Sequence, residues 1–370
     1  MEPNAHPTLV SVIMPAYNAS QYISQAIGSM LGQEYAYWEL LVIDDGSTDD
    51  TADIVKGYND PRIRYFYQKN HGQAAALNRG LDLAQGDYIT TLDVDDWYPP
   101  TSLGERVKFL DLHPDIGVVY GDGFYCDVTG EPFLRFTDQM PSGISGDVYD
   151  VLIVSPFYGT GATVLERKGV IDEHKLRYDE SIVWCQDWDF YIRLAEVAKF
   201  GFVNSITIQY RIHDAGMTVS MPTGRRLDSL ISMRNKVMTS ARFKEVTPSQ
   251  KAAFFYDYLI RDLSWKIDEQ EDVFASPEFK ELPKKQQSRL LRIAAIDYLL
   301  DSEHTDLAKR WLRTAWAQTP FDLKTGVVAS LSMIHTGLAR YVTKTWQGSR
   351  QQEGLKSPFE MAQVSKQHSN

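Results

Sequence analysis

The chain has 370 residues, 43% hydrophobic and 24% charged, which suits one large globular domain with a smaller extension. Its 38 Lys and Arg against 49 Asp and Glu give a net charge of −11, which argues against a nucleic-acid partner and makes any anionic substrate depend on local cations or a metal. No apolar run approaches the length of a membrane span, Met1 to Thr8 is polar, and Cys126 and Cys185 lack metal-ligand spacing, so a cytoplasmic protein with reduced thiols is expected, a single disulfide being the alternative.

From Val10 to Tyr120 strand and helix signals alternate, the pattern of an α/β, mostly parallel sheet with crossover helices. Val10 to Met14 is a short apolar strand broken by Pro15-Ala16-Tyr17-Asn18, and Ser20 is a candidate cap for a helix with Ile23, Ile27, Met30 and Leu31 on its apolar face. Glu39 to Ile43 is a second strand ending in Asp44-Asp45-Gly46-Ser47, and Ser47 to Asp50 reads as a capped helix start. Ile63 to Tyr67 is a third strand. Gly72 opens a helix through Leu77 and Leu81, with Gly86 at a C-cap position. Tyr88 to Leu92 is a buried strand that closes in Asp93-Val94-Asp95-Asp96. A helix from Thr101 to Leu112 and a strand from Ile116 to Tyr120 follow. The strand ends bearing Tyr17, Asp45 and Asp95 then gather along one edge, where open α/β sheets bind ligands.

If extended geometry continues past Leu92, Asp93 and Asp95 share one side and Asp96 points away. Neighbouring carboxylates repel unless a proton or cation lies between them. Oxygen ligands suit Mg²⁺ or Mn²⁺, which complete their shells from substrate phosphates. The plain alternative is a solvated acidic turn capping the next helix. Tyr17 offers an aromatic face to a base, Asp45 can accept a hydrogen bond from a base ring N–H, and the acid cluster can hold ribose hydroxyls and a metal on a diphosphate.

Pro15-Ala16-Tyr17-Asn18, Val42-Ile43-Asp44-Asp45-Gly46-Ser47-Thr48-Asp49 and Gly86-Asp87-Tyr88-Ile89 leading into Leu92-Asp93-Val94-Asp95-Asp96 together resemble family-2 glycosyltransferases over roughly residues 9 to 220. The resemblance implies a GT-A fold, a nucleoside-diphosphate sugar donor, Mn²⁺ or Mg²⁺, a hydroxyl acceptor on a glycan, glycolipid or protein of the kind built into cell-envelope polysaccharide, and inversion at the anomeric carbon. It implies nucleotide-binding roles for Pro15, Tyr17, Asn18, Asp45, Asn78, Asp93, Asp95 and Arg211, and metal ligation by Asp95, Asp96 and His213. In Trp184-Cys185-Gln186-Asp187 it implies a catalytic base at Asp187, which also sits where a helix cap would, before an apolar side of Phe190, Tyr191, Leu194 and Val197. Two departures stand out. Leu77 precedes Asn78 where many members carry Arg, and Gln186 stands where Glu is usual. In Gln209-Tyr210-Arg211-Ile212-His213 the arginine can fork onto phosphate and the histidine can serve metal or phosphate.

The irregular stretch Gly121 to Tyr178 is expected to shape the acceptor side, with Gly159 to Leu165 a strand entered by a flexible turn. The expected division is a tail at 1–8, a catalytic domain at 9–224 split near 122, a helical extension at 225–345 and a polar tail at 346–370. In the extension, Phe254 to Ile267, Leu290 to Leu300 and Leu307 to Trp316 read as helices, the last two as a hairpin. Val327 to Leu338, followed by Arg340, Lys344 and Arg350, is a packed terminal helix or an interfacial one touching a membrane. A Gln-x-x-Arg-Trp signature is absent after Asp187, which points to transfer of single sugars. Competing readings are nucleotidyl transfer, which wants a Gly-rich loop after the first strand, and a sugar-nucleotide sensor, which needs no base.

Overall fold

The computed structural model describes residues 7–334 apart from 265 and 301–303. Its contacts form two units, one running to Leu152 and over Pro156–Ser229, the other comprising Ile153–Ser155 and the chain from Leu230. The polar tail at 346–370, the end of the proposed interfacial helix and Arg340, Lys344 and Arg350 lie outside the described residues.

The first unit is built on a mixed sheet. In chain order its elements are β1 (Val10–Ala16), α1 (Ile23–Leu31), β2 (Trp38–Asp44), α2 (Thr51–Lys56), β3 (Ile63–Tyr67), α3 (Gln73–Leu83), β4 (Tyr88–Thr91), α4 (Ser102–Leu112), β5 (Val118–Cys126), β6 (Pro132–Arg135), α5 (Tyr149–Leu152), β7 (Val164–Arg167), α6 (Lys168–Glu173), α7 (Gln186–Ala195), β8 (Phe200–Arg211) and α8 (Met217–Ser220). The strand order is β3-β2-β1-β4-β7-β5-β6, with β8 pairing β5. β3, β2, β1 and β4 are parallel, and β7 enters antiparallel to both β4 and β5. β1 and β2 are buried at every position, which is why both read as continuous apolar runs rather than alternating ones. The register sets Ala16 beside Asp44 and Ile13 beside Thr91, so the loops that carry Tyr17, Asp45 and Asp93 leave adjacent strands at one edge.

Several local expectations change. Ser20 does not cap α1: its backbone N–H donates to Asp49 Oδ2 at 3.0 Å, tying the loop after β1 to the loop after β2. At α2 the residue before the helix, Asp50, makes no side-chain cap, and the capped start expected over Ser47–Asp50 is supplied by Asp49, whose Oδ1 accepts from Thr51 N at 3.1 Å. Gly86 is not a C-cap, since α3 ends at Leu83 with Ala84 extended. Its reason is close approach: a Cβ there would lie 2.6 Å from Leu9 O and 2.7 Å from Ser11 N. Both are backbone atoms at the entry to β1 that cannot move aside alone. Gly86→Ala should therefore destabilise the protein by about 1–3 kcal/mol, the range for overpacking. A thermal melt checks it, and an unchanged midpoint would contradict the packing described.

The second unit is helical. α9 (Thr223–Thr239) contains the boundary, and α10 (Ala241–Glu245), α11 (Pro248–Tyr256), α12 (Ile267–Ala275), α13 (Pro277–Lys280), α14 (Lys284–Leu300), α15 (Thr305–Gln318) and α16 (Leu323–Ile334) follow. The continuous helix expected over Phe254–Ile267 passes from α11 into a π-helical turn at Asp257–Asp262 and breaks after it, before α12 begins at Ile267. That turn places Asp257 and Asp262 on the buried guanidinium of Arg234, at 2.6 and 2.8 Å, while Arg234 also donates to Ile153 O at 2.5 Å. This ion cluster explains why Ile153–Ser155 belongs with the helices. α14 and α15 form the expected hairpin, bridged where Ser288 Oγ donates to Ala315 O at 2.8 Å.

Candidate active site

A cavity of about 660 Å³ opens at the sheet edge of the first unit, a volume typical of small-molecule sites. Pro15, Tyr17, Asp45, Asp93, Asp95, Asp187, Arg211 and His213 all line it. Residues as much as 198 positions apart (213 − 15) thus converge on one space, as the parallel strand ends require.

At the first strand ends, Tyr17 is 55% exposed, its ring open to a stacking partner. Asp45 is buried and held by three donors: Gln68 Nε2 and His71 N on Oδ1 at 2.8 and 2.9 Å, and Gly72 N on Oδ2 at 2.7 Å. Asn18 adopts φ 48° and turns the chain, its Oδ1 accepting from Thr48 N at 2.8 Å. It does not line the cavity, nor does Asn78. Asn78 instead pins the segment before α7, donating to Tyr178 O at 3.0 Å and accepting from Tyr178 N at 2.8 Å. With donor and acceptor both committed to protein, the amide has no free reach toward a nucleotide.

The acidic cluster divides as expected, although β4 ends at Thr91. Asp93 and Asp95 line the cavity, while Asp96 is buried behind it and accepts from Arg211 N at 2.9 Å. Burial, then the carboxylates of Asp95 and Asp187, push the Asp93 carboxyl up to about 7. Burial, then the carboxylates of Asp95 and Asp93, push Asp96 well up. Asp96 Oδ2 has no hydrogen-bond partner. Buried carboxylates that repel each other and leave an oxygen unpaired are what a cation would relieve.

His213 Nε2 lies 2.9 Å from Asp95 Oδ2, and its ring rests against Tyr22 with centroids 4.9 Å apart. Ligand atoms on adjacent corners of an octahedron stand about 3 Å apart when each is about 2.1 Å from the ion, so this pair fits a shared divalent cation. Among the described residues no three His, Cys, Asp or Glu side chains form a closed cage. Such a cation would draw its remaining ligands from phosphate and water.

Arg211 is more committed than a phosphate fork would be. Its guanidinium donates to Asp95 O, Val128 O and Gln25 Oε1 and lies between the Tyr22 and Trp97 rings. It braces the acidic loop. Three of its roughly five N–H donors are thereby taken.

α7 starts after Cys185 in the left-handed region at φ 58°, and this residue, not Asp187, is the N-cap. Asp187 is in the first turn. Its Oδ1 accepts from Trp188 N at 2.8 Å, and Tyr158 OH lies 3.4 Å from Oδ2. Burial raises its carboxyl, opposed by backbone N–H bonds and by Tyr158. Asp189 faces inward, paired with Arg193 at 2.6 Å. Val197 is not on the buried side, being 40% exposed beyond the end of α7. Gln186 donates to Gln73 Oε1 at 2.7 Å, and Gln73 donates to Asp93 at 2.9 Å, joining the start of α7 to the acidic loop. Tyr158 and Gln73 had no sequence signal beyond their positions near Gly159 and Gly72. Neither Cys126 nor Cys185 is in a disulfide among the described residues.

Comparison with known proteins fits this arrangement. The sequence profile of Glycosyl transferase family 2 matches residues 11–167. An uncharacterized glycosyltransferase of Rickettsia typhi is 30% identical over 220 residues, covering 59% of this chain and 68% of the relative. The chain belongs to glycosyltransferase family 2. Of two further curated relatives it spans 35% and 50% of the length. Among solved structures, S. aureus TarS 1-349 in complex with UDP-GlcNAc matches with a TM-score of 0.56 at 16% identity, covering 92% of each chain. The mannosyltransferase PcManGT from Pyrobaculum calidifontis, in complex with GDP-Man and Mn²⁺, matches at 0.53 with 20% identity, covering 86% of this chain and 89% of that one. This family-2 chain therefore has the GT-A fold, an open α/β sheet flanked by helices, together with a C-terminal helical extension.

Proposed function

We propose that the protein transfers one sugar from a nucleoside-diphosphate sugar to an acceptor hydroxyl, inverting the anomeric centre. The observation that carries this reading is that Asp187, a half-buried carboxyl with no cation paired to it among the described residues, and the Asp95–His213 pair line one cavity. Tyr17 stacks on the base and Asp45 accepts its ring N–H, while Asp93 and Asp95 hold the ribose. Pro15 shapes the base end of the cavity, and Arg211 acts by bracing the loop of Asp95. Asp95 and His213, with Asp96 behind them, would hold Mn²⁺ or Mg²⁺, which when bound would supply Lewis-acid neutralisation of the leaving diphosphate. Asp187 takes the proton from the acceptor hydroxyl, whose oxygen forms a bond to the anomeric carbon as the bond to the diphosphate oxygen breaks on the other face. One base and one displacement give inversion without a covalent intermediate. The acceptor is a hydroxyl of a glycan, glycolipid or protein in cell-envelope assembly. Thermal stabilisation by nucleoside diphosphates that requires Mn²⁺ tests the donor site, because a ligand of the folded state alone raises its stability. No shift with any nucleoside diphosphate would defeat the reading.

We extend this to a peripheral place at the inner face of a membrane, reached through the helical unit. Among the described residues no helix is long and apolar enough to cross a bilayer. Phe321 is 94% and Leu323 82% exposed at the start of α16, and the sequence from Leu323 to Gln352 carries Lys324, Arg340, Lys344 and Arg350 without one acid. Apolar side chains beside cations suit an anionic lipid surface. The chain should sediment with phosphatidylglycerol-containing vesicles but not with phosphatidylcholine alone, and Phe321→Ser with Leu323→Ser should reduce this. Equal partitioning to both vesicles would count against it.

A further inference from the structure

The Asp45 carboxylate carries information about the base, given the reading above that it meets the nucleobase. An ionised carboxylate offers about four lone-pair positions, two on each oxygen. Both positions on Oδ1 are filled, by Gln68 Nε2 at 2.8 Å and His71 N at 2.9 Å. Oδ2 accepts one bond, from Gly72 N at 2.7 Å, and has one position left. The backbone donors are fixed by the turn into α3, where Gly72 is the N-cap at φ 92°. The amide of Gln68 is oriented as well, because its Oε1 accepts from Arg79 Nη1 at 3.4 Å, which turns Nε2 toward Asp45. Asp45 is therefore a one-bond acceptor in this fold.

The bases differ on this point. Guanine presents a ring N–H and an exocyclic amine side by side, and recognition of that edge uses both carboxylate oxygens. Adenine and cytosine set an amine beside an unprotonated ring nitrogen, whose lone pair would face the carboxylate. Uracil and thymine present a single ring N–H between two carbonyl oxygens. We infer that the donor is a uracil- or thymine-type nucleotide sugar, selected over a guanosine one because Asp45 has a single acceptor position free. A purine amine brought against the filled Oδ1 would lose its water without gaining a bond, a penalty that buried donors pay in full.

The test uses the full chain with Mn²⁺ and measures binding of UDP, dTDP, GDP, ADP and CDP by calorimetry. UDP or dTDP should bind about 10- to 100-fold more tightly than GDP, the scale of one unmade hydrogen bond at a desolvated site. The UDP and dTDP arms separate uracil from thymine. Gln68→Leu empties one position on Oδ1 and should narrow the ratio of UDP to GDP affinity, whereas a purely structural role for Gln68 would weaken both together and leave the ratio unchanged. GDP binding as tightly as UDP and dTDP overturns the base assignment and leaves the donor-site reading standing. Binding by none of the five removes the donor-site reading and the base assignment with it.

Discussion

Asp187→Asn should lower turnover by about 10²- to 10⁴-fold, the usual contribution of a positioned general base, while leaving nucleotide affinity and the fold in place. The amide keeps the oxygen that accepts from Trp188 N, so the first turn of α7 is preserved. Stability should not fall, and the sign can be worked out. Burial raises the folded-state carboxyl above its ordinary range, so the ionised form is less welcome in the fold than in the unfolded chain. The contribution of this group to stability is therefore lost as pH rises from the ordinary carboxylate range through the raised value, and a neutral amide escapes that loss. Catalysis runs the other way. The base works only when deprotonated, so turnover should decline on acidification through the same raised value.

Asp189 provides the comparison. It is buried and paired with Arg193, so Asp189→Asn should lower the melting temperature, by about 1–3 kcal/mol of stability, with turnover largely kept. Steady-state rates and thermal melts of the two variants decide the matter. Native turnover for Asp187→Asn beside a large loss for Asp189→Asn would show that the base has been misassigned.

The contrast between these two aspartates shows what the sequence could and could not say. Both are acids at the start of one helix, and only packing distinguishes the one facing a cavity from the one facing Arg193. The sheet was legible because β1, β2 and β4 are buried runs whose period and punctuation leave few alternatives. Their adjacency followed from the parallel pattern, and it placed Tyr17, Asp45 and Asp93 together. Roles that depend on hydrogen-bond geometry were not legible. Asn78, two positions from the cavity-lining Ala76, bonds across 100 positions to Tyr178, a distance no local pattern encodes. Arg211 looked free to fork onto phosphate, yet the carbonyls of Asp95 and Val128 and the rings of Tyr22 and Trp97 surround it. Gly86 had the spacing of a helix cap, and only the neighbouring backbone reveals that it is a contact point. Tyr158 arose from a stretch with no periodicity at all.

Chelation should abolish transfer and added Mn²⁺ restore it, with Asp95→Asn the variant that ties this to the cavity. Asp95 is the acid that meets His213, at 2.9 Å, and it lines the cavity where phosphates can reach a shared ion. Replacing one oxygen of its carboxylate by an amide removes both charge and a ligand. Mn²⁺-dependent binding of a nucleoside diphosphate should weaken by roughly 10-fold or more, since even supporting groups around a metal contribute on that scale. Metal-free nucleotide binding should weaken much less, because Asp95 contributes to it only its share of the ribose contact while Asp45, Tyr17 and Asp93 keep theirs. His213→Ala then separates the two roles open to that residue. As a metal ligand it should reduce only the Mn²⁺-dependent part of the binding. As a phosphate contact it should weaken binding with and without the ion. Full transfer in excess chelator, together with native Mn²⁺ response in Asp95→Asn, would show that the acid cluster holds no metal and that the leaving diphosphate is neutralised by other groups.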